Sequence, residues 1–180
     1  MKKLFVISGS SGVGKGTVIK GFLERNPRFS LSVSCTTRPK RPGEADGVNY
    51  FFLSRDEFET AVNNGEFLEW AEFAGNLYGT RRQNIESGEN IILEIDTQGA
   101  LQVKSKMGAN VCLIFICPPS VEDLESRLRG RGTEDEETIQ KRLDFVKNEL
   151  ELAKQFDYQI VNDSIENAIA QLKKIVEGEQ

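Results

Sequence analysis

The chain has 180 residues, 38% hydrophobic and 28% charged, with a net charge of −5 and no histidine. One ordinary domain of that length buries roughly 70% of its extended surface, so disulfides and metals are not needed for folding, and without histidine no serine–histidine triad, cysteine–histidine pair or histidine-ligated zinc exists. No apolar run nears the roughly 18 residues of a membrane span, and the N-terminal apolar stretch is too short for a signal peptide, so a cytoplasmic protein with no membrane partner is expected.

Leu4–Ser8 is a short apolar run that ends in glycine and reads as a buried strand of a parallel sheet. Lys15–Arg25 follows with Val18, Ile19, Phe22 and Leu23 on one helical stripe, stopped at Asn26-Pro27. Ser30–Ser34 is a second strand candidate. The polar stretch Thr36–Gly43 cannot be regular. Asn49–Leu53 reads as a strand, and Ser54 with Glu57 is a capping box for a helix that Gly65 closes. Phe67–Phe73 is strand-like and precedes a Gly75-Asn76 turn. Ile91–Ile95 and Val111–Cys117 are continuous apolar runs, hence central strands. Cys112 and Cys117 are five apart on the second run and so point to opposite faces; with Cys35 they read as small buried thiols, not a metal pair. Ser120 caps a helix to about Arg129, broken at Gly130 and Gly132. A second capping box, Thr133 with Glu136, opens a long helix to about Lys154. Tyr158–Val161 is a last strand and residues 165–176 a last helix.

Strands alternating with helices mean βαβ units, hence an α/β fold with a parallel sheet covered on both faces. Two stretches depart from it: residues 34–82 are polar, glycine-rich and antiparallel-like, and residues 120–144 form a charged helical hairpin. The expected division is a core of residues 1–33 and 83–180, an insertion at 34–82 and a lid at 120–144.

Charge is uneven: residues 1–42 hold nine bases and one acid, and residues 43–180 hold fourteen bases and 27 acids. A basic end on an acidic chain favours a small phosphorylated ligand over nucleic acid. Within that end, Gly9-Ser10-Ser11-Gly12-Val13-Gly14-Lys15 fits GxxxxGK after a buried strand and before a helix. Glycines let backbone N–H groups face a phosphate, the helix N-terminus adds positive potential, and Lys15 reaches the β/γ-phosphates. Gly16 replaces the usual hydroxyl residue, which leaves Thr17 to meet magnesium directly or through water. Arg38, Lys40 and Arg41 lie together in an irregular loop, and guanidinium forks suit a second phosphate. Tyr50 and Tyr78, read as loop tyrosines, join them. Ile91–Asp96 is an apolar strand ending in acids, with Glu94 and Asp96 on one face as candidate magnesium contacts.

Ser32-Val33-Ser34-Cys35-Thr36-Thr37-Arg38, Asn49-Tyr50, Glu69-Trp70, Gly75-Asn76-Leu77-Tyr78-Gly79-Thr80, Ile95-Asp96-Thr97-Gln98-Gly99, Arg129-Gly130-Arg131-Gly132-Thr133 and Val161-Asn162-Asp163 together resemble guanylate kinase, in order and over essentially the whole chain. The resemblance implies a P-loop core, a GMP-binding insertion and a helical lid, with ATP and GMP as substrates and magnesium carried with ATP. It implies that Arg38, Arg41, Tyr50 and Tyr78 hold the GMP phosphate and that Ser34, Glu69, Thr80 and Asp96 read guanine. A carboxylate accepts from the N1–H and N2–H₂ donors of guanine, and a hydroxyl donates to O6. It places Arg131 and Arg142 on the transferring phosphates, alongside Lys15 and Arg38, with Arg127 and Asn162 by the adenine. Glu94 stands where the family usually has aspartate, which favours a water-mediated metal contact. The attacking oxygen of GMP is already an anion, so this chemistry needs no histidine base.

Two rival readings keep the fold. One is a peptide-binding module that has lost catalysis; the other is a kinase of another small phosphate acceptor. The intact Gly9, Gly14, Lys15, Arg131 and Arg142 argue against the first, and Glu69 with Ser34 against the second. Monomer and homodimer both stay open.

Overall fold

The computed structural model describes residues 3–10, 12–86, 90–130 and 136–179. In chain order the strands are β1 (Leu4–Gly9), β2 (Ser30–Leu31), β3 (Cys35–Thr36), β4 (Phe51–Phe52), β5 (Phe67–Phe73), β6 (Asn76–Arg81), β7 (Ile91–Glu94), β8 (Val111–Cys117) and β9 (Tyr158–Val161). The helices are α1 (Lys15–Arg25), α2 (Arg55–Asn63), α3 (Gln83–Glu86), α4 (Thr97–Met107), α5 (Val121–Gly130), α6 (Glu136–Ala153) and α7 (Ile165–Gly178).

Five strands form a parallel sheet in the order β2-β7-β1-β8-β9. β8 is apolar at every position, and β1 and β7 are apolar up to Ser8 and Glu94 near their C-terminal ends, because both faces of the sheet are covered. β8 shows the sorting: Cys112, Ile114 and Ile116 pack with Val18, Ile19 and Phe22 of α1 and Ile169, Leu172 and Val176 of α7. Leu113, Phe115 and Cys117 face the other way, toward Ala100 and Val103 of α4. The two β8 cysteines therefore do lie on opposite faces, and all three cysteines are buried and free. Burial pushes the thiols up, to about 11 for Cys35 and about 12 for Cys112, so none is a ready nucleophile.

The remaining strands build a second sheet, in the order β4-β3-β6-β5. It is mixed: β3 runs parallel to β4 but antiparallel to β6, and β5 antiparallel to β6. α2 covers it with a core of its own, made of Phe58, Ala61, Phe67, Leu77 and Cys35, in which the Phe58 and Phe67 rings stack at 4.4 Å. The expected capping box is present: Ser54 Oγ accepts from the Glu57 N–H, and Glu57 accepts from the Ser54 N–H.

Some sequence expectations change. Ser30–Ser34 is a strand only at Ser30–Leu31, because the chain leaves the first sheet after Ser32 and enters the second at Cys35. Asn49–Leu53 is a strand only at Phe51–Phe52. Tyr78 lies in β6, not in a loop; the strand pairs with both β3 and β5 and forms a hairpin with β5 through Ala74-Gly75, both at positive φ. α4 has no counterpart in the sequence reading. Thr133 of the second capping box lies outside the described residues.

Candidate functional site

The glycine-rich loop joins β1 to α1 at the C-terminal ends of the parallel strands, where ligands sit in open α/β sheets. Gly9 lies so close to β8 that a Cβ there would stand 2.7 Å from the Ile116 carbonyl, so only glycine fits. Gly12 and Gly14 have φ of 79° and 91°, the left-handed region that favours glycine. α1 then opens with no side-chain cap, whereas α2, α4 and α7 are each capped by a side chain. An uncapped N-terminus of an 11-residue helix presents free N–H groups and the positive end of the dipole. Val13 is buried beneath the loop, and Ser10 beside it is buried with a hydroxyl that has no protein partner. Lys15 reaches across to β7: its Nζ lies 3.4 Å from the Ile95 carbonyl and 4.0 Å from Glu94 Oε1. Glu94 also faces Gly16, with Oε1 3.8 Å from the point where a side chain at 16 would start. Thr17 is exposed in the first turn of α1.

Asn162 anchors this loop from below. It is 5% exposed, its backbone N–H donates to Cys117 O, and its side-chain amide donates to Val13 O at 2.7 Å. The resemblance implies a place near adenine for it; in the structure it fastens the end of β9 to the glycine-rich loop.

A second basic centre lies on the other sheet. Arg38 donates one arm of its guanidinium to Glu44 at 2.7 Å and the other to the Pro39 carbonyl at 2.7 Å. Its Cζ also sits 5.6 Å from the ring centre of Tyr50, whose ring meets that of Tyr78 edge-on at 6.1 Å. The second Glu44 oxygen accepts from the Arg41 N–H. Glu44 is thus gripped by both arginine positions expected to hold phosphate, and the Arg38 fork holds its carboxyl below the usual range. Sequence reasoning missed Glu44; the signal was a single acid following a basic run. The Tyr50 hydroxyl is raised first by burial and next by the charge of Glu94.

The third group is a pair of carboxylates. Glu69 on β5 is 4% exposed, and its register partner on β6 is Thr80, fully buried. A register shift between Phe67 and Glu69 turns three successive residues inward, so Glu69 is buried with Phe67 and Leu68. Asp96 caps α4, accepting from the Gly99 N–H at 2.6 Å. A Cβ on Gly99 would stand 2.7 Å from Glu69 Oε2 and 3.2 Å from Asp96 Oδ1, so both carboxylates converge on that glycine. Burial pushes the Glu69 carboxyl up to about 7; Thr80 pulls it down and the Asp96 charge raises it again. Thr80 is near enough to act on Glu69, yet no well-aligned bond closes, and Glu69 Oε1 and Thr80 Oγ1 are both buried without a partner. Unpaired buried polar atoms are expensive, so two of them side by side call for a reason. Ser34 is half-buried where β3 meets β4 and gives its carbonyl to the Phe51 N–H.

The structure therefore gathers Lys15, Glu94 and the phosphate loop; Arg38, Tyr50 and Tyr78; and Glu69, Thr80 and Asp96. Ser11 and Arg131, and the side chains of Arg127 and Arg142, lie outside the described residues. Among the described residues no group of three metal-type side chains is gathered, and no helix is long and apolar enough to cross a membrane.

The guanylate kinase family model matches residues 1–179. The chain is 51% identical over 178 residues to the guanylate kinase of Trichodesmium erythraeum, covering 97% of this chain and 95% of that one. It is 49% identical over 180 residues to that of Halalkalibacterium halodurans, covering 98% and 88%. The crystal structure of guanylate kinase from Anaplasma phagocytophilum matches with a TM-score of 0.81 at 35% identity, covering 99% of this chain and 86% of that one. A shikimate kinase from Bacteroides thetaiotaomicron, at TM-score 0.53 and 17% identity, shares the fold alone.

Proposed function

The chain belongs to the guanylate kinase family, and from that premise we propose that it transfers the γ-phosphoryl group of ATP to GMP, giving ADP and GDP. The observation that carries the acceptor is the buried pair Glu69 and Thr80, each with an unpartnered oxygen, beside the exposed carboxylate of Asp96. Guanine offers adjacent N1–H and N2–H₂ donors to Glu69 and Asp96, and its O6 accepts from the Thr80 and Ser34 hydroxyls. Adenine lacks that donor pair and would leave Glu69 buried and unpaired, a strong basis for rejection. Arg38, Arg41, Tyr50 and Tyr78 take the GMP phosphate, which displaces the Glu44 carboxylate from the same donors.

The phosphate loop, residues 9–17, takes the ATP phosphates. The uncapped start of α1 and Lys15 stabilise the charge that spreads onto the γ-phosphoryl oxygens. The GMP phosphate oxygen attacks that phosphorus directly, the bond to the β-phosphate oxygen breaks, and ADP leaves. Arg131 and Arg142 act on the same oxygens from the lid, with Arg127 by the adenine. The donors present suit magnesium: Glu94, Thr17 and Asp96 offer hard oxygens, and such an ion is held by one or two carboxylates together with substrate phosphates. Glu94 faces the space left by Gly16, its Oε1 3.8 Å from the point where a side chain at 16 would start. When bound, the ion neutralises the β- and γ-phosphate oxygens.

Mixing ATP labelled in its γ-phosphate with GMP tests this reading. Label is expected in GDP, with little free phosphate when GMP is left out; label in free phosphate alone would overturn it. Gly99→Ala gives a sharper prediction. The added methyl displaces the Glu69 carboxylate, while alanine suits a helix better than glycine. The KM for GMP should rise about tenfold or more, in line with one lost charge-assisted hydrogen bond, while the KM for ATP and the melting temperature hold.

A further inference from the structure

β5 is the outer strand of its sheet, so its carbonyls on the side away from β6 have no neighbouring strand. Two of them are taken by side chains of α4. Lys106 Nζ donates to Leu68 O at 2.6 Å, and Gln102 Nε2 donates to Trp70 O at 3.3 Å. Gln102 and Lys106 are four residues apart and so share one face of the helix. The two carbonyls flank Glu69. The same helix presses Gly99 of its first turn against the Glu69 carboxylate. α4 therefore holds β5 at three points around Glu69: the Leu68 carbonyl before it, the Trp70 carbonyl after it, and its own side chain.

The clamp is local. It brackets the residue with the unpartnered carboxylate oxygen, while Glu72 and Phe73, further along β5, are exposed. It also sits beside the register shift between Phe67 and Glu69, where the ladder to β6 is least able to hold the strand. Glu69 and Thr80 come from the second sheet, while Asp96 and Gly99 come from the end of β7 and the start of α4. The width of the base pocket depends on how β5 is held against α4.

We propose that Gln102 and Lys106 are positioning residues for base selection, an inference that rests on the reading of Glu69 as the guanine acceptor. They touch no substrate; they fix the backbone on both sides of Glu69 and so hold its carboxylate at the distance guanine needs. Placement errors of this kind fall on substrate binding and base discrimination, not on phosphoryl transfer at the far end of the cleft.

The test is steady-state kinetics of Lys106→Met, Gln102→Leu and Lys106→Arg, with Glu69→Ala in parallel. Lys106→Met keeps the packing and loses the donor. Its KM for GMP should rise about tenfold, as for a lost hydrogen bond from a charged donor, with kcat within about twofold and the KM for ATP unchanged. The ratio of kcat/KM for GMP over IMP, which lacks the 2-amino group, should shrink by a similar factor. Gln102→Leu, with the longer bond, should show the same pattern at about threefold. Lys106→Arg retains a donor and should recover most of the loss. A purely structural role would lower the melting temperature and leave the GMP/IMP ratio alone. Unchanged GMP KM and GMP/IMP ratio in folded clamp variants, with selectivity lost in Glu69→Ala, overturns the inference alone. Selectivity unchanged in Glu69→Ala overturns the reading of Glu69 itself. Should Lys106→Met fail to fold, Gln102→Leu decides by the same two readouts.

Discussion

Replacing Glu69 by glutamine is expected to raise the stability of the empty protein at pH 8 while destroying its selectivity for GMP. Glu69 is 4% exposed, and burial lifts its carboxyl from the usual 4.5 to about 7, with Thr80, Asp96 and Lys106 as the facing groups that adjust it. Between those two values the folded protein holds a proton that the unfolded chain has already released. Stability must then fall as pH rises through that window, by on the order of 3 kcal/mol in all. Glutamine has no charge to bury, so the variant gains up to that amount at pH 8 and little at pH 5. Denaturant unfolding at both pH values measures it. The same linkage acts on binding. Guanine needs the ionised carboxylate, so wild-type affinity for GMP should weaken as pH drops below about 7, approaching tenfold per pH unit. Glutamine presents an NH₂ toward the guanine donors, and kcat/KM for GMP should fall by 10²-fold or more. A stability gain joined to a loss of function is the mark of a group kept for its ligand.

Lys15→Met should leave the fold intact and lower kcat/KM about 10²–10³-fold, the usual cost of one donor to transition-state charge. Its Nζ makes a long contact to Ile95 O and a loose ion pair with Glu94, so the folded protein loses little with it. The side chain is half-buried and its stem stays packed in the variant. Denaturant midpoints within experimental error of wild type, beside collapsed turnover, separate the chemical role from a structural one.

The core was legible where one signal dominates. The apolar runs at 4–8, 91–95 and 111–117 read as strands covered on both faces, as the sheet shows, and the glycine-rich turn between the first strand and a helix fits the pattern of a phosphate loop. α4 escaped because its buried face is made of small or polar residues, Thr97, Gly99 and Ala100, with Val103 alone of larger size, so no apolar stripe stands out. β6 escaped because its run Asn-Leu-Tyr-Gly-Thr-Arg is polar and broken by Gly79. That glycine is required, since a Cβ would stand 2.9 Å from Glu69 O. At the site, the arginines and Glu69 were legible as types, but the partners that set their state were not. Glu44 on Arg38, Asn162 under Val13, and Gly99 against Glu69 are contacts between segments from 6 to 149 residues apart. Such contacts leave no local pattern for a sequence to display.

The most direct test of the account is the initial rate of ADP release with ATP and magnesium, offering GMP, AMP, CMP and UMP separately to the wild-type protein and to Glu69→Ala. Turnover is expected with GMP alone in the wild type, with the rate on GMP falling 10²-fold or more in the variant. Folded, ATP-binding protein that fails to turn over GMP, or that accepts AMP equally well, would contradict it.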